Sequence, residues 1–427
     1  MSFLTRATAA ALFVIALVST ARAQTQEAAP AATQDNDFSS LREHAAAGDA
    51  QAQFALANHY FRGRDVAQDY TQALILYRQS ADQGFAPAQN QLGVMYEHGF
   101  GVQMDYARAA TYYRAAADQG YALAQFNLAV LFESGRGVRR DYRQAFDWYR
   151  KAADQNLSDA EEEVGYFYQC GFVGSRDYAQ ALAWYRRAAG HGNSNAENQL
   201  GFMAEKGWGQ PQDYVEALTW YYKAADLGNA DAQENIGFMF QHGTGVATDY
   251  PKAKSWFYKA AGQGNSNAEN QLGWMYQFGQ GMEPDNGKAL AWYRLAADQG
   301  NKNGIDNLQA LTNILKEQGD AVWESANASA SDAAIAQAQR RERIQDLHRR
   351  INELEADARQ QDNLADQLEH SGKTNDAIGK VFNALGSMSA VQYRTQAEKY
   401  RDEAANLRDE LAQLEDQSQF SANVPNP

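Results

Sequence analysis

Four groups of residues in this 427-residue chain have types that invite chemistry, and none completes it. Ser371-Gly372-Lys373-Thr374 has the ending of a phosphate-binding loop, in which backbone N–H groups cradle a phosphate and the lysine meets its outer oxygens. Gln367 stands where that loop needs its leading glycine, and no strand pattern precedes it. The seven histidines never form a His-x3-His pair with a Glu between, the spacing that puts two zinc ligands and a general base on one helix face. His98 and His242 hold one repeated position far apart in the chain and cannot share an ion. Cys170, the single cysteine, falls in that same column and reads as a lone thiol in a surface loop. Glu161-Glu162-Glu163 reads as a solvated helix start that favours the helix dipole, not as an acid–base pair. No nucleophile elbow or zinc motif is present. The sequence therefore predicts no catalytic residue, no metal ligand and no cofactor.

What the chain does repeat is a 36-residue period, seven times without an insertion. An alanine opens each copy at Ala52, Ala88, Ala124, Ala160, Ala196, Ala232 and Ala268. Eleven residues on stands a glycine: Gly63, Gly99, Gly135, Gly171, Gly207, Gly243 and Gly279. An aspartate follows at Asp69, Asp105, Asp141, Asp177, Asp213, Asp249 and Asp285, and each copy closes on an alanine from Ala81 to Ala297. A fixed period of this length means stacked units that bury together what no unit buries alone.

One copy shows how the elements arise. Ala88, Leu92, Met95 and Tyr96 fall on one helix face, and Gly93 lets a neighbouring helix approach. Gly99 ends that helix in a left-handed turn. Asp105 caps the next helix, whose apolar face is Ala109, Tyr112, Tyr113, Ala116 and Ala117, and Gly120 stops it. Pro251 sits just inside its own second helix, where a missing N–H costs little. The Trp-Tyr pairs on the second helices, and Trp256-Phe257 in repeat six, read as core between repeats.

The pattern A-x3-LG-x-MY-x2-G-x-G-x3-DY-x2-A-x2-WY-x2-AA-x2-G resembles the Sel-one-like repeats, relatives of the tetratricopeptide repeat, across residues 38–318. The departures are Asp65 and Val173 at the second loop glycine, Ala57 and Ala129 at the helix glycine, and Asn286 at the tyrosine. The resemblance implies an all-α, right-handed α/α superhelical solenoid that serves as a protein-interaction scaffold. Half-repeats at Leu41–Gly48 and Ile305–Gly319 are expected to cap it.

Repeats of this type bind along a groove lined by their first helices, so the variable first-helix columns are the expected site. One column reads Asn58, Val94, Val130, Tyr166, Phe202, Phe238, Trp274. Three residues on it reads Phe61, Glu97, Glu133, Gln169, Glu205, Gln241, Gln277, and four residues before it Phe54, Asn90, Phe126, Glu162, Asn198, Glu234, Asn270. Spacings of three and four share a helix face. In the later repeats, rings flanked by amides and carboxylates suit an extended peptide, gripping its side chains and hydrogen-bonding its backbone. The same rings would also serve as packing between adjacent first helices, and the sequence leaves both readings open. The stretch Asn193–Gly201 recurs intact at Asn265–Gly273, a duplicated surface able to meet a ligand longer than one repeat.

Beyond residue 319 the period stops. Residues 320–332 read as a linker, and 333–417 carry two heptad series, Ile344, Leu347, Ile351, Leu354, Ala358 and then Tyr393, Ala397, Tyr400, Ala404, Leu407, Leu411. These predict a coiled-coil hairpin, or a coil between chains that would make a homo-oligomer. An apolar tip near 377–391, with Ile378, Phe382 and Leu385, either contacts a protein or membrane surface or folds back on the hairpin. Residues 418–427 read as a disordered tail.

At the other end, Arg6, the apolar run Ala9–Val18 and Ala21-Arg22-Ala23 read as a signal peptide over 1–23, followed by a flexible leader over 24–37. The mature chain is then periplasmic or secreted and has no transmembrane segment. A net charge of −15 argues against nucleic acid or anionic lipid as the main partner. The expected function is an exported adaptor for a protein or peptide ligand. The alternative is an oligomeric envelope assembly or export component acting through the coil.

Overall fold

The computed structural model describes residues 38–319, 322–330 and 390–415, with single positions at 343, 347, 350, 351, 354 and 358. Every regular element among the described residues is a helix. They form two compact units, one ending at Ala232 and the other beginning at Gln233.

The seven first helices are Ala50–Arg62, Ala86–His98, Ala122–Ser134, Ser158–Cys170, Ser194–Lys206, Ala230–His242 and Ser266–Phe278. The second helices are Tyr70–Asp82, Tyr106–Ala117, Tyr142–Ala153, Tyr178–Gly190, Tyr214–Asp226, Tyr250–Gly262 and Asn286–Asp298. Their ends are set as the sequence predicts. Gly99 takes a φ of +74° and its N–H returns to the Met95 carbonyl. Asp105 accepts hydrogen bonds from the N–H groups of Ala107 and Arg108, both at 3.0 Å. Asp69, Asp141 and Asp213 cap their helices in the same way, and Asp177, Asp249 and Asp285 through the N–H three residues on alone, each cap worth about 1 kcal/mol.

Inside six of the repeats a second-helix tyrosine fills the space between the helices: Tyr77, Tyr113, Tyr149, Tyr185, Tyr221 and Tyr293 are fully buried, as is Phe257 in the sixth repeat. Gly93 is required by this packing, because a Cβ there would lie 2.4 Å from the Tyr113 ring. Repeats one and three carry Ala57 and Ala129 at that position, and there Phe54 and Phe126 pack on Tyr77 and Tyr149 at 5.8 and 5.4 Å between ring centroids. The glycine repeats have Asn90, Glu162, Asn198, Glu234 or Asn270 in place of the phenylalanine. An added methyl thus goes with an added ring beside the tyrosine, and its absence with a polar side chain.

Successive repeats meet through the tyrosine that starts each second helix. Tyr70 stacks on Phe100 of the next repeat's loop, Tyr142 on Phe172 and Tyr178 on Trp208, with centroids 4.9–5.2 Å apart. Tyr106 lies beneath the Arg136 guanidinium at 5.6 Å. Repeat seven departs from this, with Asn286-Gly287 where the tyrosine would begin.

The residues after 319 differ from the expected linker. Residues 322–330 form a helix that packs Trp323, Ala326 and Ala330 on Leu290, Tyr293, Leu311 and Leu315. Alanine is the best helix former, and these three lie on one face, so a composition that resembled a spacer builds a lid on the last repeat. A Cβ on Gly287 would stand 2.8 Å from the Ser329 hydroxyl, so only glycine permits this approach. Beside it lies a shallow cavity of about 540 Å³ lined by Asn286, Leu315, Val322 and Ser329 among others. At the other end, helix Phe38–Ala46 covers repeat one through Phe38, Leu41 and Ala45.

Helix Ala390–Glu415 carries the second heptad series. Leu347, Ile351 and Leu411 form a buried cluster with Leu407 against it. Arg343 pairs with Glu410 at 2.6 Å and Arg350 with Glu403 at 3.7 Å, so the two segments run in opposite directions within one chain. Ile378, Phe382 and Leu385 lie outside the described residues, as do 1–37 and 418–427.

Candidate functional site

Of the expected site residues, Tyr166 and Phe202 lie in the unit ending at Ala232, and Phe238 and Trp274 in the other. All four are half-buried. Tyr166 packs edge-on against Phe172, and Phe202 against Trp208 at 5.3 Å, with the Lys206 ammonium over its other side. Phe238 stacks on His242 and meets Phe257 edge-on at 5.5 Å, while Trp274 leans on Phe278, itself 56 % exposed. The rings are thus half-buried, and each of these ring contacts lies within the ring's own repeat.

The polar residues expected to flank them have work inside the fold. Glu205 accepts a hydrogen bond from the Tyr221 hydroxyl and Gln277 from Tyr293, each at 2.8 Å. Tyr113, Tyr149 and Tyr185 bond Glu97, Glu133 and Gln169 alike. Burial, with the Glu97 charge beside it, pushes the Tyr113 phenol well above its usual range, so it remains a donor. Glu162, Asn198, Glu234 and Asn270 are buried. Asn270 accepts from Asn307, and Glu234 from Asn265 and Asn267.

Gln241 stands apart. Repeat six has Phe257 where the other repeats have tyrosine, so no hydroxyl reaches it. Its amide turns to Gln280 at 2.9 Å, and its Oε1 is buried without a hydrogen bond. Phe257→Tyr should restore the missing donor and raise stability by about 1 kcal/mol, read as a higher melting temperature. An unchanged or lower value would show that the pocket has no room for the hydroxyl.

A half-buried polar column lies one residue further along than the buried one. Gln91, Asn127, Glu163 and Gln199 in one unit, and Asn235 and Gln271 in the other, stand one turn before the aromatic column, Asn127 also donating to Asn90. Moving one residue along a helix rotates the side chain by about 100°, which separates a buried column from a surface one. The signal was present in the sequence as an unbroken run of Gln, Asn and Glu.

The duplicated Asn193–Gly201 stretch proves to be a clasp between repeats. Asn193 caps its helix through the Ala196 N–H and reaches back to Asp159. Asn229 reaches back to Asn195 in the same way and Asn301 to Asn267, both at 2.8 Å.

Glu161-Glu162-Glu163 is not the solvated helix start the sequence suggested, since Glu161 is fully buried and Glu162 nearly so. The reason is a substitution in a recurring hydrogen-bond staple. In repeat three Gln125 donates to the Ala117 carbonyl of the preceding repeat and accepts from Gln155 of its own, at 3.2 and 2.8 Å. Gln53 and Gln89 do the same. A glutamate at 161 cannot donate. Arg187 therefore takes over, donating to the Ala153 carbonyl at 2.8 Å and forming an ion pair with Glu161 at 2.6 Å, while His191 holds the other carboxylate oxygen at 2.8 Å. Nearby, burial and the Glu162 charge push the Asp159 carboxyl up to about 6. Cys170 is the last residue of its helix, not a loop residue, and its thiol forms no disulfide.

Among the described residues no group of three or more His, Cys, Asp and Glu is placed to hold a metal ion, and no helix is long and apolar enough to cross a membrane. The family model described as the Sel1 repeat matches residues 50–85, 86–121, 122–157, 158–193, 194–229, 230–265 and 266–301. A crystal structure of a protective antigen present in uropathogenic Escherichia coli strains, displaying an SLR fold, is similar over 92 % of this chain and all of its own, with 26 % identity and a TM-score of 0.57. A Sel1 repeat protein from Oxalobacter formigenes shares 33 % identity over 57 % of this chain and 96 % of its own, with a TM-score of 0.54. No curated protein matches the chain.

Proposed function

Because this chain belongs to the Sel1 repeat family, we propose that it is an exported scaffold that grips an extended segment of a protein partner along the exposed stripe of its first helices. Proteins built from this repeat are generally protein-interaction scaffolds and not enzymes. The observation that carries the finer reading is the pairing of two columns in each unit. Half-exposed amides such as Gln199 and Gln271 stand one turn from half-exposed rings, Phe202 and Trp274. Amides can pair with a peptide's N–H and C=O groups while rings take its apolar side chains. Truncating a ring that anchors such a contact costs about 2 kcal/mol or more of binding. The buried polar columns beneath supply rigidity, which lowers the entropy lost on binding. The heptad seam closed by Leu347, Ile351 and Leu411 within one chain supports a hairpin in place of an interchain coil.

The test is photocrosslinking in cells, with a benzoyl-phenylalanine placed at Gln199 or Gln271. A discrete protein adduct that disappears with Phe202→Ala or Trp274→Ala, helicity being retained, is the expected result. No adduct from either position would count against the stripe. Export is tested on the same material, by reading whether the mature chain begins at Gln24.

A further inference from the structure

We propose that the loop of repeat three docks an acidic segment of a protein partner. Arg136, Arg139 and Arg140 lie in that loop after Gly135 and Arg143 in the first turn of the second helix, four arginines within eight residues. Arg139, Arg140 and Arg143 are exposed, and none of the four pairs with a carboxylate among the described residues. Arg136 rests on the Tyr106 ring, and Arg140 makes one long bond, 3.5 Å, to the Ser134 carbonyl.

Repeats two, six and seven treat the same place differently, whereas repeats one and four carry Gln72 and Gln180 there. In the first three the capping aspartate meets a cation three residues on: Arg108 with Asp105 at 3.3 Å, Lys252 with Asp249 and Lys288 with Asp285 at 3.2 Å. In repeat three that position is Gln144, whose amide holds the Asp141 carboxylate at 3.0 Å. Those bonds, together with the nearby Arg139 charge, hold the Asp141 carboxyl below its usual range. The loop's one carboxylate is thus committed to the helix cap, and the guanidiniums are left to meet something else. Four against one leaves a local charge of about +3 on a chain whose net charge is −15.

Arginine forks suit carboxylates, which they bind through two parallel hydrogen bonds. A short acidic segment feels this patch, since screening confines the field to about 8 Å at physiological salt. A broad anionic membrane would instead meet the negative charge of the whole chain. Met104 and Val173, 55 % and 37 % exposed, sit in the loops of the neighbouring repeats and offer apolar contacts at the flanks. This inference goes beyond the first-helix stripe and does not depend on it.

Fluorescence anisotropy of the full chain with fluorescein-labelled deca-glutamate, and with deca-glutamine as control, tests it. Arg139→Gln, Arg140→Gln and Arg143→Gln together should weaken deca-glutamate binding more than tenfold without changing the melting curve. The charge-matched variant Lys252→Gln, Lys288→Gln and Lys302→Gln should leave it within twofold, as should Phe202→Ala. Equal loss in both triple variants, or no loss in the loop variant, overturns the proposal. Loop-dependent binding to phosphatidylglycerol vesicles that exceeds binding to the peptide overturns it as well.

Discussion

Arg187→Met should destabilise repeat four by about 3 kcal/mol or more. The change leaves Glu161, fully buried, with His191 as its remaining close cation, and it takes from the Ala153 carbonyl one of its two donors, the Asn156 N–H staying in place. Removing one partner of a buried pair is far costlier than removing the pair, because the survivor keeps its desolvation penalty. The comparison that isolates this cause is written into the neighbouring repeat. Glu161→Gln, Arg187→Lys and His191→Gln together copy Gln125, Lys151 and Gln155, a set that satisfies the same groups without a buried charge. The triple variant should recover most of what the single one loses. Arg187 lies over the Trp184 ring at 5.1 Å, so tryptophan fluorescence in urea reports the local event. A loss under 1 kcal/mol in Arg187→Met, or no recovery in the triple variant, would refute the staple.

Gly137→Ala should cost about 3 kcal/mol, against about 1 for Gly120→Ala. Both glycines have positive φ, +68° and +89°, so both substitutions carry the left-handed penalty of about 1–2 kcal/mol. They differ in what the new Cβ meets. At Gly120 nothing lies within 4 Å, whereas at Gly137 the Tyr106 carbonyl carbon would be 2.2 Å away. Backbone in the first turn of a helix cannot yield as a side chain does, so overpacking adds about 1–3 kcal/mol. The loop would have to lift from the helix beneath it, taking Arg136 off the Tyr106 ring. Thermal melts of the two variants decide the matter. Equal losses would mean that the contact between the repeats is soft and that only the backbone preference matters.

Helix ends, the capping aspartates, the left-handed glycines and the tyrosine core were legible in the sequence, because each depends on one residue and its near neighbours. The candidate stripe was legible only in part. The aromatic column is half-buried, while Glu162, Asn198, Glu234 and Asn270 beside it are buried. Which of two adjacent residues faces out depends on how neighbouring repeats rotate against each other. Asn198 is 7 % exposed, and Gln199 next to it is half-exposed. The burial of Glu161 was hidden for a related reason, since its partners stand 26 and 30 residues away and replace an amide pair that looks unrelated. The helix at 322–330 is not legible in the sequence, because alanine-rich composition serves spacers and helices alike, and only the packing of Trp323 distinguishes them.

The end of repeat seven bears on how such a chain can change its length over evolutionary time. A tyrosine at the head of one repeat's second helix is the seat for the loop of the next, and Asn286-Gly287 removes that seat while admitting the helix at 322–330. A copy inserted between existing repeats would find a seat and supply one. A copy appended after the seventh would find neither a ring to rest on nor space beside Ser329. Lineages that gain or lose units by unequal recombination should therefore do so in the interior, with the terminal pair carried along unchanged.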